Sequence, residues 1–578
     1  MHFEPIAIVG RSCLLPGALN PEQLWQAIVE KRNLVSRVPA GRWGLSSKNA
    51  LKDPAEGGNG ADAAWSDKGG YVDGFDKVFN PEGYGVPAQD ITKLDPIFQW
   101  VLHTGREALR DAGVNENAKT GAIFGNLSFP TSGLSRFAER VWMGEEQARL
   151  AGVPESNPAN RFMSGLPAHM LAKALGLGGK AYCLDAACAS SLYAIKLACH
   201  ELQDGKADVM LAGAVNRADD LFIHVGFTAL QALSKRGESR PFHPDADGLI
   251  PSDGAGFVVL KRLQDAEASG DKILGVIRGV GVSNDGRGNG FLAPSSDGQV
   301  RAMKAAYEMS GIRPEDVSLV ECHATGTTVG DATELKSMDK VFAEHSDLNI
   351  GSLKSNMGHA ITAAGIAGLL KVLGAMENKT LPPTLSEEHT LDGSRFNLVT
   401  EAKPWTSEGT RKAGLSAFGF GGNNAHLILE EYQPQQIVNT TSQIAASVPL
   451  AVVGMGSILG QARGVSELSS KLFSKAPLGS RTDTITLPMK GLKFPPNDLK
   501  QALGQQLMML AATQEALNDA GTVNPKDTCV LMGMGCDPEV ARYGARWRLK
   551  DWATRLGLDA SQLQTLQDEI VPVLESPG

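Results

Sequence analysis

The chain has 578 residues, of which 42% are hydrophobic, and a formal net charge of −9. No stretch approaches the roughly 18 apolar residues of a membrane span, the first residues lack the basic start of a secretion signal, and the acidic balance argues against nucleic acid as a partner. The 7 cysteines show neither Cys-x-x-Cys spacing nor a disulfide framework. We therefore expect a cytoplasmic, enzyme-like chain of more than one domain, with reduced thiols and no metal.

Short apolar runs alternate with helix-like runs from the N-terminus to about residue 430. The strand-like runs are Ile6–Val9, Ala122–Phe124, Val209–Ala212, Phe257–Leu260, Ile273–Val280, Val317–Val320 and Leu427–Leu429. This alternation predicts an α/β fold built in layers. It does not by itself predict the topology of the sheet.

A cysteine lies where a strand-like run passes into a helix. Cys188 sits within Tyr182–Ser191 and directly precedes a predicted helix over Ala189–Leu202, in which apolar residues recur at helical spacing. The unpaired N–H groups and the positive end of such a helix would lower the pKa of Cys188 and make it a better nucleophile. An isolated cysteine, however, is more often a small buried apolar residue.

Two histidines lie at similar ends of predicted elements. His323 follows the strand-like run Val317–Val320, and His359 precedes a small-residue helix predicted over Ala360–Met376. Strand exits and helix starts are where open α/β sheets gather ligands. By spacing alone the thiol and the two histidines are a weak constellation, because the sequence does not measure the distances between them.

Together with the glycine-rich run Ser416–His426, these motifs resemble the active site of the β-ketoacyl synthases. Cys188 stands in Asp-Ala-Ala-Cys-Ala-Ser-Ser, His323 in His-Ala-Thr-Gly-Thr, and His359 in Lys-Ser-Asn-Met-Gly-His. The resemblance spans about residues 4 to 432. In detail it is nearest to the ketosynthase of polyketide-synthase-like polyunsaturated fatty acid synthases, through the runs Phe129–Thr131 and Leu211–Val215.

The resemblance implies a thiolase-like fold of two similar α/β halves and a decarboxylative Claisen condensation. Cys188 would accept an acyl chain, with backbone N–H groups near Cys188 and Phe420 as the oxyanion hole. His323 and His359 would bind the enolate formed from a malonyl thioester, and Lys354 would support His359. No bound cofactor is implied, since the substrates are carried on the phosphopantetheine of an acyl carrier protein.

Further roles follow from the same resemblance. Thr325 and Thr327 resemble residues that hydrogen-bond the pantetheine arm. Phe418, Gly419 and Phe420 resemble a mobile gate between the acylation and condensation states, although a glycine turn with two core phenylalanines is the plainer interpretation. Asn423 stands where the family usually has threonine, so we expect the pantetheine or gate contacts there to differ.

Three other functions compete with this one. A Cys–His hydrolase has no use for two histidines together with Lys354 and a glycine gate. A degradative thiolase normally has a second cysteine in its closing loop, and Gly419–His426 contains none. A non-elongating module that binds carriers or only decarboxylates, inactive without its full partner domain, stays open.

An acidic carrier protein would need a local basic patch on this chain in spite of its negative total charge. The sequence offers two candidate pairs, Lys235–Arg236 and Arg411–Lys412.

The chain also contains an internal repeat. Ile6–Gly10 recurs as Leu450–Gly454, Glu107–Gly113 recurs as Glu515–Gly521, and Gly125 matches Gly533 at the spacing of the second pair. Between the copies lies a run that is poor in apolar anchors. We therefore predict a ketosynthase domain over residues 1–432, a linker over 433–448, and a partial second thiolase-like repeat over 449–578.

In the synthases that this chain resembles, a chain-length-factor domain without the cysteine follows the ketosynthase. We expect residues 449–578 to be the start of such a domain, because a position matching Cys188 would lie beyond Gly578. Exposed apolar surface or partial disorder is then expected in this segment. The resemblance also implies a homodimer, or a pseudo-dimer with the chain-length-factor-like domain, formed across an edge strand near the nucleophile.

Overall fold

The computed structural model describes residues 3–52, 62–114, 119–286, 293–434, 449–487, 492, 496–525 and 528–570. The strands are β1 (Ile6–Leu14), β2 (Val35–Arg37), β3 (Lys68–Gly70), β4 (Thr120–Asn126), β5 (Ala181–Leu184), β6 (Val209–Asn216), β7 (Gly254–Arg262), β8 (Gly275–Asn284), β9 (Leu319–Glu321), β10 (Leu348–Gly351), β11 (Thr380–Leu381), β12 (Phe396–Leu398), β13 (Lys403–Pro404), β14 (Lys412–Phe418), β15 (Asn423–Glu430), β16 (Ile458–Leu459) and β17 (Ala462–Arg463). The α-helices are α1 (Pro21–Val29), α2 (Ser47–Ala50), α3 (Phe75–Val78), α4 (Ala88–Thr92), α5 (Pro96–Asp111), α6 (Ser132–Met143), α7 (Glu145–Leu150), α8 (Leu166–Leu175), α9 (Ser190–Gln203), α10 (Asp220–Ala229), α11 (Leu263–Ser269), α12 (Ser296–Ser310), α13 (Thr328–Val341), α14 (Lys354–Met357), α15 (Ala364–Glu377), α16 (Gly464–Ser474), α17 (Pro496–Gln501), α18 (Gly504–Ala520), α19 (Pro538–Ala545), α20 (Leu549–Leu556) and α21 (Ala560–Ile570).

The main sheet has 11 strands in the order β12-β10-β9-β14-β15-β8-β1-β7-β6-β4-β5. Outward from β1, the strands β7 and β6 pair antiparallel and β4 and β5 follow in parallel. Outward from β8, the strands β15 and β14 pair antiparallel and β9 and β10 follow in parallel. The strands β1 and β8 join the two halves. This repeated pattern confirms the thiolase-like α/β fold with its duplicated halves.

Two buried helices, α9 and α15, lie at the centre of the largest apolar cluster. Glycines on α15 let its neighbours approach closely. A Cβ atom on Gly365 would lie 2.5 Å from Oγ of Ser191, and one on Gly368 would lie 2.9 Å from Cδ1 of Leu415. Each helix is preceded by a short 3₁₀ turn, at Ala187–Ala189 and Ile361–Ala363. These two turns adjoin, which brings the starts of the helices together.

The strands occur where the sequence predicts them, with different ends. The run predicted from Ile273 begins as β8 at Gly275, and the run predicted from Val317 begins as β9 at Leu319. The helix predicted from Ala189 begins one residue later as α9. The glycine-rich run, interpreted above as a loop, is largely the hairpin β14–β15, and only residues 419–422 form its turn. The predictions failed at the ends because local pattern does not show where a neighbouring strand stops.

The second copy of the repeat reproduces a contact of the first. The N–H of Met455 donates to Oδ2 of Asp519 over 2.8 Å, as the N–H of Arg11 does to Oδ2 of Asp111, also over 2.8 Å. The segment around Met455 therefore packs on α18 in the way that β1 packs on α5.

The predicted strand Leu450–Gly454 is nevertheless not a strand in the structure. A β-strand needs a hydrogen-bonded neighbour. In the first copy β7 and β8 flank β1, whereas no strand pairs with residues 450–454 among the described parts of the chain. Leu450, Val452 and Leu531 are consequently 96%, 84% and 91% exposed, so the exposed apolar surface expected of this segment is present.

Of the predicted linker 433–448, residues 435–448 lie outside the described residues. Over the residues that are described, no helix is both long and apolar enough to cross a membrane.

Candidate active site

Cys188, the predicted nucleophile, lies in the 3₁₀ turn between β5 and α9. Ala187, next to Cys188, has a φ of 49°, in the left-handed region that residues other than glycine rarely adopt. The side chain of Ser190 holds this turn, since its Oγ accepts from the N–H of Ala186 over 2.8 Å and donates to the carbonyl of Ala187 over 2.6 Å. The N–H of Cys188 is oriented to hydrogen-bond its own thiolate.

The structure brings both histidines to this cysteine. Nε2 of His359 lies 2.9 Å from Sγ of Cys188. The rings of His323 and His359 are 5.2 Å apart and nearly perpendicular, at 84°. One nitrogen of each ring and the sulfur all lie within 4.8 Å of one another. A thiolate and two imidazoles at this spacing could also ligate one soft metal ion.

The protonation states differ from the sequence-based expectation. Burial raises the pKa of Cys188 to about 11, and the N–H of Phe420 and the charge of Lys354 lower it by less. The predicted lowering of this pKa is therefore wrong, because desolvation outweighs the helix end. Burial, followed by the charge of Lys354, holds the pKa values of His323 and His359 well below their ordinary value. At neutral pH the site contains a thiol and two neutral imidazoles.

Lys354 lies behind the two histidines and does not line the cavity. It begins α14, is buried, and its Nζ lies 3.5 Å from the carbonyl oxygen of Cys322. Burial lowers the pKa of Lys354, while the carboxylates of Glu321 and Glu334 oppose that shift. Its charge favours a thiolate at Cys188 and disfavours a second positive charge on the histidines.

Two carboxylates that sequence analysis missed hold the loop of His323. Glu334 accepts from the N–H groups of His323 and Ala324 over 2.8 and 2.7 Å, and Asp331 accepts from the N–H of Thr325 over 3.0 Å. Burial raises the pKa of Glu334 to about 7 and that of Asp331 to about 6. Their spacing of three residues on α13, directly after the histidine motif, was the available signal.

Gly419 contacts the 3₁₀ turn that contains Cys188. A Cβ atom there would lie 2.9 Å from the carbonyl oxygen of Ala186 and 3.0 Å from the nitrogen of Cys188. Gly421 and Gly422 have φ values of 80° and 83°, where glycine is the favoured residue. The turn between β14 and β15 can therefore approach Cys188 only because these positions lack side chains.

Two phenylalanines flank Gly419. The ring of Phe418 lies 5.9 Å from that of His323, and the ring of Phe420 lies 5.9 Å from that of Phe227. The backbone N–H of Phe420 is oriented to hydrogen-bond the thiolate of Cys188. The turn thus contributes both apolar walls and a backbone donor beside the sulfur.

A cavity of about 500 Å³ opens over Cys188. It is lined by most of the candidate residues, namely Cys188, His323, His359, Thr325, Thr327, Phe418, Gly419 and Phe420. The hydroxyls of Thr325 and Thr327 lie 3.1 Å apart. Asn423 lies off the cavity, where it accepts from Nδ2 of Asn284 over 3.2 Å. Its neighbour Asn424 lines the cavity instead, because side chains alternate along β15.

The two candidate basic pairs differ in position. The N–H groups of Lys235 and Arg236 each donate over 3.1 Å to Asp247, which lines the cavity. The ammonium of Lys235 lies 4.7 Å from the ring centre of Trp65. Arg411 and Lys412 instead stand at the far end of β14, where Lys412 pairs with the last residue of β15, Glu430, and Arg411 with the next residue, Glu431. Only the first pair adjoins the cavity.

Family models match most of residues 1–432, the predicted ketosynthase domain. Residues 3–266 match the β-ketoacyl synthase N-terminal domain, residues 274–388 the β-ketoacyl synthase C-terminal domain, and residues 387–494 the ketoacyl-synthetase C-terminal extension.

Curated relatives are much longer proteins. A polyunsaturated fatty acid synthase protein of Thraustochytrium sp. is 30% identical over 612 residues, which cover 95% of this chain and 29% of that protein. A phenolphthiocerol/phthiocerol polyketide synthase protein of Mycobacterium tuberculosis is 36% identical over 455 residues, covering 74% of this chain and 23% of that protein. The chain thus spans less than a third of the length of these relatives.

Solved structures that resemble this chain are covered over a larger share of their own length than the curated relatives are. A PfaC keto synthase–chain length factor superposes with a TM-score of 0.86 at 33% identity, covering 98% of this chain and 66% of that one. The ketosynthase from module 6 of the bacillaene synthase of Bacillus subtilis superposes with a TM-score of 0.65 at 33% identity, covering 75% of this chain and 73% of that one. A chain that matches both domains of one family and shares a third of its residues with solved ketosynthases belongs to the β-ketoacyl synthase family, whose members are carbon–carbon bond-forming condensing enzymes of polyketide and polyunsaturated fatty acid synthases.

Proposed function

We propose that this chain condenses an acyl group held on Cys188 with a malonyl group held on an acyl carrier protein, as a step of polyunsaturated fatty acid or polyketide biosynthesis. The observation that carries the proposal is the 2.9 Å contact between the thiol and Nε2 of His359, with His323 beside them in one cavity. A nucleophile next to a proton acceptor is suited to acyl transfer, and two imidazoles are suited to binding an enolate.

In the first step Cys188 takes the acyl chain. Since the resting thiol is protonated, His359 accepts its proton through Nε2 as the sulfur attacks the acyl thioester. The N–H groups of Cys188 and Phe420 stabilise the oxyanion that forms on the carbonyl oxygen. The carbon–sulfur bond of the donor then breaks, and His359 returns the proton to the departing pantetheine sulfur.

In the second step a malonyl thioester enters. Its carboxylate leaves as carbon dioxide, and the electron pair of the broken carbon–carbon bond forms an enolate, whose oxygen His323 and His359 bind as N–H donors. The enolate carbon attacks the acyl carbonyl on Cys188, the carbon–sulfur bond to Cys188 breaks, and the sulfur leaves as a thiolate that takes up a proton from solvent. Nδ1 of each histidine has no hydrogen-bond partner among the described residues, so no fixed partner prevents His359 from changing tautomer between the two steps.

The same proposal includes the partners. The substrates arrive on the phosphopantetheine of an acyl carrier protein, with Thr325 and Thr327 contacting the arm and Lys235–Arg236 contacting the acidic carrier. Residues 449–578 form the start of a chain-length-factor-like domain, separated by the linker 433–448 from the ketosynthase domain of residues 1–432. Association as a homodimer or pseudo-dimer would use β5, the last strand of the main sheet. We place the enzyme in the cytoplasm.

Intact-protein mass spectrometry tests the chemistry. The chain is mixed with a panel of acyl carrier thioesters and then with a malonyl carrier, beside a Cys188→Ala variant and a Cys199→Ala control, which removes a buried thiol from the helix α9 that follows Cys188. We expect an acyl adduct in the wild type and in the control, none in Cys188→Ala, and discharge to a β-ketoacyl carrier. An adduct that the malonyl carrier does not discharge would favour the non-elongating module, and no adduct in folded protein would contradict the proposal.

A further inference from the structure

We call residues 1–432 the first unit and residues 449–578 the second unit. An arginine of the second unit is buried against side chains of the first. Arg548, between α19 and α20, donates from Nη1 to Glu139 on α6 over 2.9 Å and from Nη2 to Asp219 over 3.1 Å. Its Nε donates to the carbonyl oxygen of Trp43 over 3.1 Å. Arg548 and both carboxylates are buried. One side chain therefore joins three separate elements of the ketosynthase unit.

The charge of Glu139 is favoured by Arg548. Burial raises the pKa of Glu139 to about 7, with Arg548 lowering it and Asp219 raising it. Two carboxylates that share a dry site repel each other unless a cation lies between them. Since Arg548 donates to both carboxylates, its loss would leave Glu139 and Asp219 as buried acceptors without that donor.

Asp219 connects this cluster to α10. Its Oδ2 accepts from Arg548, while its Oδ1 accepts from the N–H of Leu221 over 3.2 Å and so caps the helix. Trp547, next to Arg548, adds a ring contact of 6.0 Å to Phe222 on the first turn of α10. The second unit thus fixes where α10 begins.

The other end of α10 reaches the active site. Leu230, Gln231 and Ala232 follow the helix directly and line the cavity over Cys188. Phe227, on the last turn, packs its ring against that of Phe420. The apolar side chains of α10 lie in the same cluster as Cys188. A shift of this helix would therefore move the cavity wall and the phenylalanine whose N–H faces the sulfur.

We propose that Arg548 is a positioning residue, through which the second unit holds α10 in place. The position of α10 in turn keeps the cavity over Cys188 open to the acyl group that Cys188 accepts. This inference rests on the proposed function of Cys188, although its effect on α10 can be observed without any acyl transfer. This role differs from a general stabilising role, because it affects the cavity that the acyl group enters and leaves the reactivity of the Cys188 thiol unchanged.

The main test compares two reactions of Cys188 in the full chain. We expect Arg548→Met to slow acylation by acyl carrier thioesters at least tenfold, while alkylation by iodoacetamide, which needs no acyl cavity, stays within about twofold of wild type. We expect Arg548→Lys to recover part of the acylation rate, since it restores the charge but not the three-way geometry. Arg481→Met is the matched control, because Arg481 is exposed and pairs with an exposed aspartate. Equal loss of both reactions in Arg548→Met, or normal acylation in a folded variant, would overturn the proposal.

A second variant removes the charge imbalance. Arg548→Met/Glu139→Gln/Asp219→Asn leaves no unpaired charge and keeps a capping residue at position 219. We expect its overall stability to recover while acylation stays slow and the amides of residues 220–229 exchange with deuterium faster than in wild type, relative to those of α15. Full recovery of acylation would mean that Arg548 only neutralises the carboxylates.

Hydrogen exchange also separates this inference from the proposed function. If no carrier thioester acylates the wild type, the proposed function fails. Faster exchange confined to α10 in the Arg548 variants would still support the positioning role, and unchanged exchange there would contradict it.

Discussion

Burial and the charge of Lys354 set the ionisation of Cys188 and of the two histidines beside it. Burial keeps its sulfur protonated at neutral pH, and the low pKa values of His323 and His359 keep both rings neutral. Lys354 is the cation that opposes the first of these effects and adds to the second. The site therefore holds a proton acceptor beside a thiol rather than a preformed ion pair, which differs from a typical activated cysteine.

Lys354→Met tests this balance. The positive charge favours the thiolate, so its removal raises the pKa of Cys188 further above about 11 and lowers the thiolate fraction at every lower pH. We therefore expect alkylation by iodoacetamide at pH 8 to slow, by a factor of about ten for each unit by which the pKa rises. The measurement is the alkylation rate from pH 6 to 10, with Lys196→Met as a control for the loss of a half-buried lysine on α9. Identical pH profiles for Lys354→Met and wild type would contradict the assignment.

Sequence analysis predicted the three residues that the structure brings together, but not their ionisation. Cys188, His323 and His359 each occur in a motif, which is a local property of the chain. The pKa of Cys188 depends on how much solvent the folded chain removes from the sulfur, and Glu334 gains its role only when α13 folds back under the His323 loop. A local sequence pattern shows neither the desolvation of the sulfur nor the position of α13 in the fold.

The turn between β14 and β15 lies directly against Cys188. Its position depends on the antiparallel register of the hairpin, in which Phe418 pairs with Asn424. Gly419 then lies against Cys188, and the N–H of Phe420 faces the sulfur. A side chain at position 419 would separate the turn from the nucleophile.

We therefore expect Gly419→Ala to slow acylation of Cys188 while the fold is retained. The added methyl group would meet backbone atoms at 2.9 and 3.0 Å and displace the N–H of Phe420 from the oxyanion. Loss of one oxyanion donor typically slows catalysis by roughly 100-fold or more. Acyl-adduct formation followed by mass spectrometry measures the rate, and circular dichroism checks the fold. The control is Gly178→Ala, since no atom lies within 4 Å of a Cβ at that position; equal rates in the two variants would show that the close approach is unimportant.

At the scale of the whole molecule, the second unit has two contrasting parts. Its α19 and α20 pack on the first unit and bury Leu549 and Trp552. The extended segments around Val452 and Leu531 instead expose apolar side chains without strand partners among the described residues. An exposed, extended apolar segment is a surface on which other chains pair.

We expect the chain to self-associate through these segments as its concentration rises. Replacing Leu450, Val452 and Leu531 by serine removes exposed apolar area and should reduce the average mass, by about half at the highest concentration, without changing alkylation of Cys188. Light scattering after size-exclusion chromatography measures the mass. Val78→Ser, which removes an exposed valine from the first unit, is the control. Unchanged association in the triple variant would place the contact elsewhere, for example at β5.

The sequence by itself determined the family, the α/β class, the three candidate catalytic residues and the internal repeat, because each is carried by short motifs or by the periodic spacing of apolar residues. Only the tertiary structure decided that Cys188 is a protonated thiol, that Asn424 rather than Asn423 lines the cavity, and that Leu450–Gly454 lacks a strand. It alone placed Arg548 of the second unit between Glu139 and Asp219. Desolvation, the facing of side chains and strand pairing all depend on atoms distant in the chain, and no local pattern encodes those distances.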